Sequence, residues 1–118
     1  MDELLGRLVA NVGLDRTTAE KAVGIILQFL LKEGPPDKVR GLIDQLPGAD
    51  ALMAAAEDGG GFGMGGIMGA GTKLMGIGLG MGQVQAVTRE VIGFAREKVG
   101  EDAVGEIVGA IPGLSQFV

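Results

Sequence analysis

The chain contains no cysteine, histidine, tryptophan or tyrosine. Without thiolate or imidazole there is nothing of the usual kind to hold zinc, haem iron or an iron–sulfur cluster, no thiol nucleophile, and no Ser-His-Asp relay. No disulfide can staple the fold. Long apolar runs are also missing. The densest, residues 23–31, is interrupted by Gln28 and is about half the ~20 residues that a membrane-spanning helix needs. Positive charge is scarce: 10 Lys and Arg face 15 Asp and Glu, for a net charge of −5 and a pI near 4.6. A nucleic-acid partner would need clustered cations, so none is expected. The opening residues Met1-Asp2-Glu3-Leu4-Leu5 are acidic and lack the basic and apolar regions of a secretory signal, so a cytoplasmic location is expected. No cofactor or metal is expected, and no enzymatic activity.

What is present is glycine, 23 of 118 residues in a 12.0 kDa chain, a length that suits one domain. The chain also matches itself. Positions 1–53 can be laid over 66–118 without a gap. Val12-Gly13-Leu14 falls on Ile77-Gly78-Leu79, Phe29 on Phe94, Asp37 and Val39 on Asp102 and Val104, and Leu46-Pro47-Gly48 on Ile111-Pro112-Gly113. The chain therefore reads as two repeats, 1–53 and 66–118, joined by a connector over 54–65.

Both repeats read as helices. Thr17 and Glu20 have capping-box spacing. Beyond them Ala19, Ala22, Val23, Ile26, Leu27, Phe29 and Leu30 share a broad face at helical period, with Lys21, Gly24, Gln28 and Lys32 opposite. Gly34-Pro35-Pro36 stops this helix. Val39, Leu42, Ile43 and Leu46 define a shorter helix that ends at Pro47-Gly48, and Ala49–Glu57 a third of small residues. In the second repeat Val84, Val87, Val91, Ile92, Phe94 and Ala95 form the broad face, Gly100 ends it, and Val104, Ile107, Val108 and Ile111 form the next stripe. At the start of the chain Leu5, Leu8, Val9 and Val12 make a stripe whose counterparts are Ala70, Lys73, Leu74 and Ile77. No stretch alternates as a strand would. The expected class is all-α: a duplicated helical repeat, three to four helices per copy, packed as one compact bundle with a Gly-rich connector.

Leu46-Pro47-Gly48-Ala49-Asp50-Ala51-Leu52, a Gly-rich spacer, and Gly78-Leu79 before an apolar helix resemble the bacterial VcgC/VcgE domain of unknown function, from about Val12 onward. The resemblance implies a helical fold. It brings no catalytic or binding residues with it.

Residues 59–82 hold twelve glycines and four of the six methionines. Gly61-Phe62-Gly63-Met64-Gly65-Gly66 matches the dinucleotide fingerprint in letters only, since that motif must follow a strand, and here it follows Ala54-Ala55-Ala56-Glu57. Residues 66–73 imitate a phosphate loop with Thr72 and Lys73 in the wrong order, so the ammonium would miss the phosphates. The expected structure is a loop over 59–65 and an irregular, Gly-containing copy of the first helix over 67–76. Methionine fills irregular sites adaptably and glycine leaves room beside them, so Phe62, Met64, Met68 and Met75 are candidates for a small apolar or amphipathic ligand or for an interface. Glycines four apart in this tract also leave membrane association open. Lys73 reads either as a cation poised for an anionic head group or as a snorkelling lysine. The carboxylates Asp37 and Asp102 suit helix starts and need no further role.

Ile25 and Leu31 are apolar residues outside the inner face of the long helix, where the second repeat has Glu90 and Arg96. They pack under Ala49–Glu57 or form a subunit or partner contact. Two functions follow: a non-enzymatic, self-associating interaction or scaffolding domain, a homo-oligomer or the partner of another protein; or a carrier of a small apolar ligand through residues 59–82.

Overall fold

Helical periodicity runs through nearly the whole chain, and the computed structural model, which describes residues 2–57, 66–111 and 113–117, answers it with helices and no strand among those residues. In chain order they are α1 (Asp2–Arg7), which continues as a π-helical turn (Leu8–Val12), α2 (Arg16–Glu33), α3 (Pro36–Asp44), α4 (Ala49–Glu57), α5 (Gly66–Gly76), α6 (Met81–Val99), α7 (Glu101–Ala110) and a 3₁₀ turn (Leu114–Phe117). The starts of α2, α3 and α4 at positions 16, 36 and 49 have helical starts at the equivalent positions 81, 101 and 114 of the second half. Gly13 and Gly78, at equivalent places before the long helices, both hold left-handed backbone, with φ of +85° and +107°. That conformation is open to glycine and strained for other residues.

The long helices α2 and α6 form the centre. Each buries the face that its apolar spacing marks, including Phe29 and Phe94. α3 folds back along α2, and α7 along α6. The first helical segment of each half crosses to the other half: α1 and its π-turn pack on α6, and α5 packs on α2. All the buried apolar side chains consequently join one cluster drawn from both halves. The radius of gyration is 12.6 Å, with extents of 32 × 30 × 26 Å.

Helix ends are set locally. The α2–α3 corner turns at Gly34, whose extended backbone donates its N–H to the Leu30 carbonyl at 2.8 Å. Pro36 then occupies the first turn of α3, where its missing N–H has no helical partner to lose. Contrary to the capping-box expectation, α2 begins earlier: its N-cap is Asp15, which makes no side-chain cap bond, and Thr17 lies inside the first turn. At α6 half of a capping box does form, with the Gly80 N–H donating to Gln83 Oε1 at 3.0 Å.

Three expectations change. The segment over 67–76 is not irregular: α5 is a continuous helix from Gly66 to Gly76, because its packing on α2 offsets the poor helix propensity of its glycines. Val9 is not in the core stripe but 41% exposed. Leu4 takes its place beside Leu5 and Leu8, since the wider π-helical turn rotates Val9 outward. The third change concerns α2. Gly24 and Gln28 do not lie on a solvent face but are buried, Gln28 against α4.

Candidate interaction surface

α4 makes the most extensive packing that α2 has. The Gln28 amide Nε2 donates to the Met53 carbonyl of α4, which places α4 over the row Ile25, Gln28 and Leu31, successive positions three residues apart on α2. Ile25 is accordingly only 3% exposed, and Leu31 is half-buried against the core. Ile25 offers no free surface, and Leu31 only part of its side chain. Gln28 is 7% exposed, and its Oε1 has no hydrogen-bond partner. In the second half the corresponding row is Glu90, Gly93 and Arg96. There Arg96 is exposed, and Glu90 accepts a bond from Asn11 Nδ2 at 3.4 Å. The difference in sequence between the two rows thus tracks a difference in what covers them.

The α1–α6 contact is polar at its rim and apolar beneath. Arg7 donates in bidentate fashion to Glu97 at 2.7 and 2.8 Å, and Glu3 lies 3.7 Å from the same guanidinium. The Arg7 guanidinium and the Lys98 ammonium sit 5.2 and 5.1 Å from the centre of the buried Phe94 ring, within cation–π range. The hydrogen bonds from Arg7 hold the Glu97 carboxyl below the usual carboxylate range, and Glu97 in turn raises Arg7. Two further ion pairs tie elements together: Lys38 to Glu106 at 3.1 Å joins α3 to α7, and Arg40 to Asp50 at 3.3 Å joins α3 to α4. No group of three or more carboxylates that could hold a metal ion occurs among the described residues.

Besides Val9, two large apolar residues are left in water elsewhere. α5 ends at a tight turn in which the N–H groups of Ile77 and Leu79 both donate to the Leu74 carbonyl, at 3.2 and 3.3 Å, and Gly78 N–H donates to the Met75 carbonyl at 3.0 Å. Leu74 and Leu79 are buried and anchor the turn. Met75 on one side is 43% exposed, and Met81, the first residue of α6, is 60% exposed. Met75 belongs to the candidates named from sequence. Met81 does not, although a signal for it exists: it stands where the first half has the exposed Arg16, so a charge at a helix start has given way to a thioether.

The remaining candidates divide. Lys73 is half-buried on α5 and is engaged by its surroundings, so it is no isolated cation. Met68 lies within α5, with its side chain outside what the structure describes. Phe62 and Met64 lie outside the described residues. No helix among the described residues is long and apolar enough to cross a membrane.

No protein-family model, no curated protein and no solved structure matches this chain. The resemblance to the VcgC/VcgE domain accordingly rests on the motifs quoted above.

Proposed function

We propose that this chain is a non-enzymatic helical interaction domain that associates with copies of itself. The observation that carries the reading is the pair of exposed methionines, Met75 and Met81, flanking the α5–α6 turn. Methionine presents an adaptable, polarisable apolar surface that suits contact between proteins, and most apolar side chains of this size are withdrawn into the common core. The chemistry of the side chains points the same way: the chain has no histidine or cysteine, and among the described residues Glu97, Glu106 and Asp50 are engaged in ion pairs.

Native mass spectrometry with light scattering tests this. An integer multiple of the single-chain mass is expected, returning to the single-chain mass in a Met75→Glu/Met81→Glu variant that keeps its helical circular dichroism. A monomer that carries a bound small apolar molecule would instead favour the carrier reading through residues 59–82.

A further inference from the structure

We propose that α1 is a two-register element: the π-helical turn over Leu8–Val12 holds it in one register, and a regular α-helical ending closed at Gly13 is the other. This goes beyond the surface association above and does not depend on it. The two halves share the same glycine punctuation and end their first helices differently. Gly13 and Gly78 hold matching places, and both are left-handed, with φ of +85° and +107°. Before Gly78 the chain is α-helical as far as Gly76. It then closes with the pair of bonds that a left-handed glycine favours: Leu79 N–H donates to the Leu74 carbonyl at 3.3 Å, and Gly78 N–H to the Met75 carbonyl at 3.0 Å. Leu74 and Leu79 at the two ends of that closure are both buried. Before Gly13 the chain is π-helical instead. Leu14, the counterpart of Leu79, is buried, but Val9, the counterpart of Leu74, is 41% exposed.

The first half has the residues for the other ending as well. Leu5, Leu8, Val9 and Val12 make one stripe on a regular helix, and closure at Gly13 would set Val9 beside Leu14, the apolar contact that accompanies this kind of helix end. The π-turn breaks that stripe. It buries Leu4, Leu5 and Leu8, leaves Val9 in water, and lets Arg7 clasp Glu97 of α6 at 2.7 and 2.8 Å. Turning α1 about its axis into the regular register buries Val9, brings Leu4 toward solvent and opens the clasp. One aliphatic side chain is in water in either register, so the two differ chiefly by an exposed ion pair, which is worth little, and by the commoner geometry of α-helical bonds. The exchange sets how firmly the first helix is fastened to the second half of the molecule.

The chain has no native cysteine, so the rate of thiol labelling of a Leu4→Cys variant under native conditions reports burial at that one site. Adding Val9→Leu favours the regular register by one buried methylene, and the labelling rate is expected to rise about fourfold. Adding Val9→Ser removes the apolar gain and is expected to lower it. These signs separate a change of register from fraying of α1: leucine is a better helix former than valine and would suppress fraying, which slows labelling. A rate at position 4 that stays the same or falls with Val9→Leu overturns the proposal. Relaxation dispersion of the backbone amides of residues 8–14, in chains that keep Leu4, provides the same test should Leu4→Cys fail to fold. A minor state whose population rises about fourfold in Val9→Leu supports the two registers, and flat profiles in both the parent chain and Val9→Leu overturn them.

Discussion

Gly34 illustrates how a single position can bind three elements. A Cβ there would sit 2.8 Å from the Leu30 carbonyl oxygen, 3.3 Å from Ile111 Cδ1 and 3.5 Å from Val39 Cγ2. The first of these is backbone, which cannot step aside cheaply. Gly34→Ala should destabilise the protein by about 1–3 kcal/mol, as overpacking does. Gly105 and Gly109 lie on exposed turns of α7 with open space around them. Alanine at either should stabilise by about 0.5–1 kcal/mol through helix propensity. Urea titrations followed by circular dichroism give both signs in one series. Glu97 sets a pH dependence at the same scale. Its carboxyl is depressed in the folded state by the hydrogen bonds from Arg7. The resulting stability is therefore present above the unfolded carboxylate pKa of about 4.3 and is lost as pH falls through the lower folded value. In Glu97→Gln, acid unfolding should lose that component: the decline in stability below about pH 4 should be shallower than in the parent chain.

At the scale of elements, the α2–α4 contact decides how α2 reads. Periodicity assigns Gln28 to a polar face because glutamine is usually solvated, yet α4 covers that side, and the amide of Gln28 bonds to Met53 across the contact. A buried carbonyl oxygen without a partner costs about 1–3 kcal/mol, while the bond from Nε2 returns about 0.5–1.5 kcal/mol. Gln28→Leu should therefore raise stability by about 1 kcal/mol, measured as a higher thermal midpoint with an unchanged helical spectrum. An unchanged or lower midpoint would show that the amide is better satisfied than this arrangement implies. The row Ile25, Gln28 and Leu31 stands out in sequence as an anomaly against Glu90, Gly93 and Arg96. What resolves the anomaly is not legible there, because it depends on where α4 comes to rest. The α5 helix carries the same lesson in reverse. Its glycines argue locally for irregular backbone, and packing on α2 overrides them.

At the scale of the molecule, the crossing of α1 onto α6 and of α5 onto α2 makes the two halves one cooperative unit. Leu4 is fully buried on α1. Leu4→Ala should cost about 2–5 kcal/mol, and amide protection should fall together in α2 and α6 rather than in the first half only. Native-state hydrogen exchange reads this directly. Protection lost in α1 to α4 while α6 and α7 keep theirs would mean that the halves unfold separately.

Local pattern was enough for the helical class, the existence and C-terminal ends of the two long helices and the inner faces they bury, because apolar residues at helical period can be buried together only on a helix. It was enough too for the corners at Gly34-Pro35-Pro36 and Gly100, where backbone chemistry acts over a short stretch of chain. The tertiary structure settled the rest: the π-helical turn sets Val9 outward, Gln28 and Ile25 lie beneath α4, α5 is regular, and Met81 joins Met75 as exposed apolar surface. The burial of Gln28 and Ile25 and the regularity of α5 depend on neighbours distant in the chain. Burial is a property of what arrives on the other side of a residue, and local pattern carries no record of it.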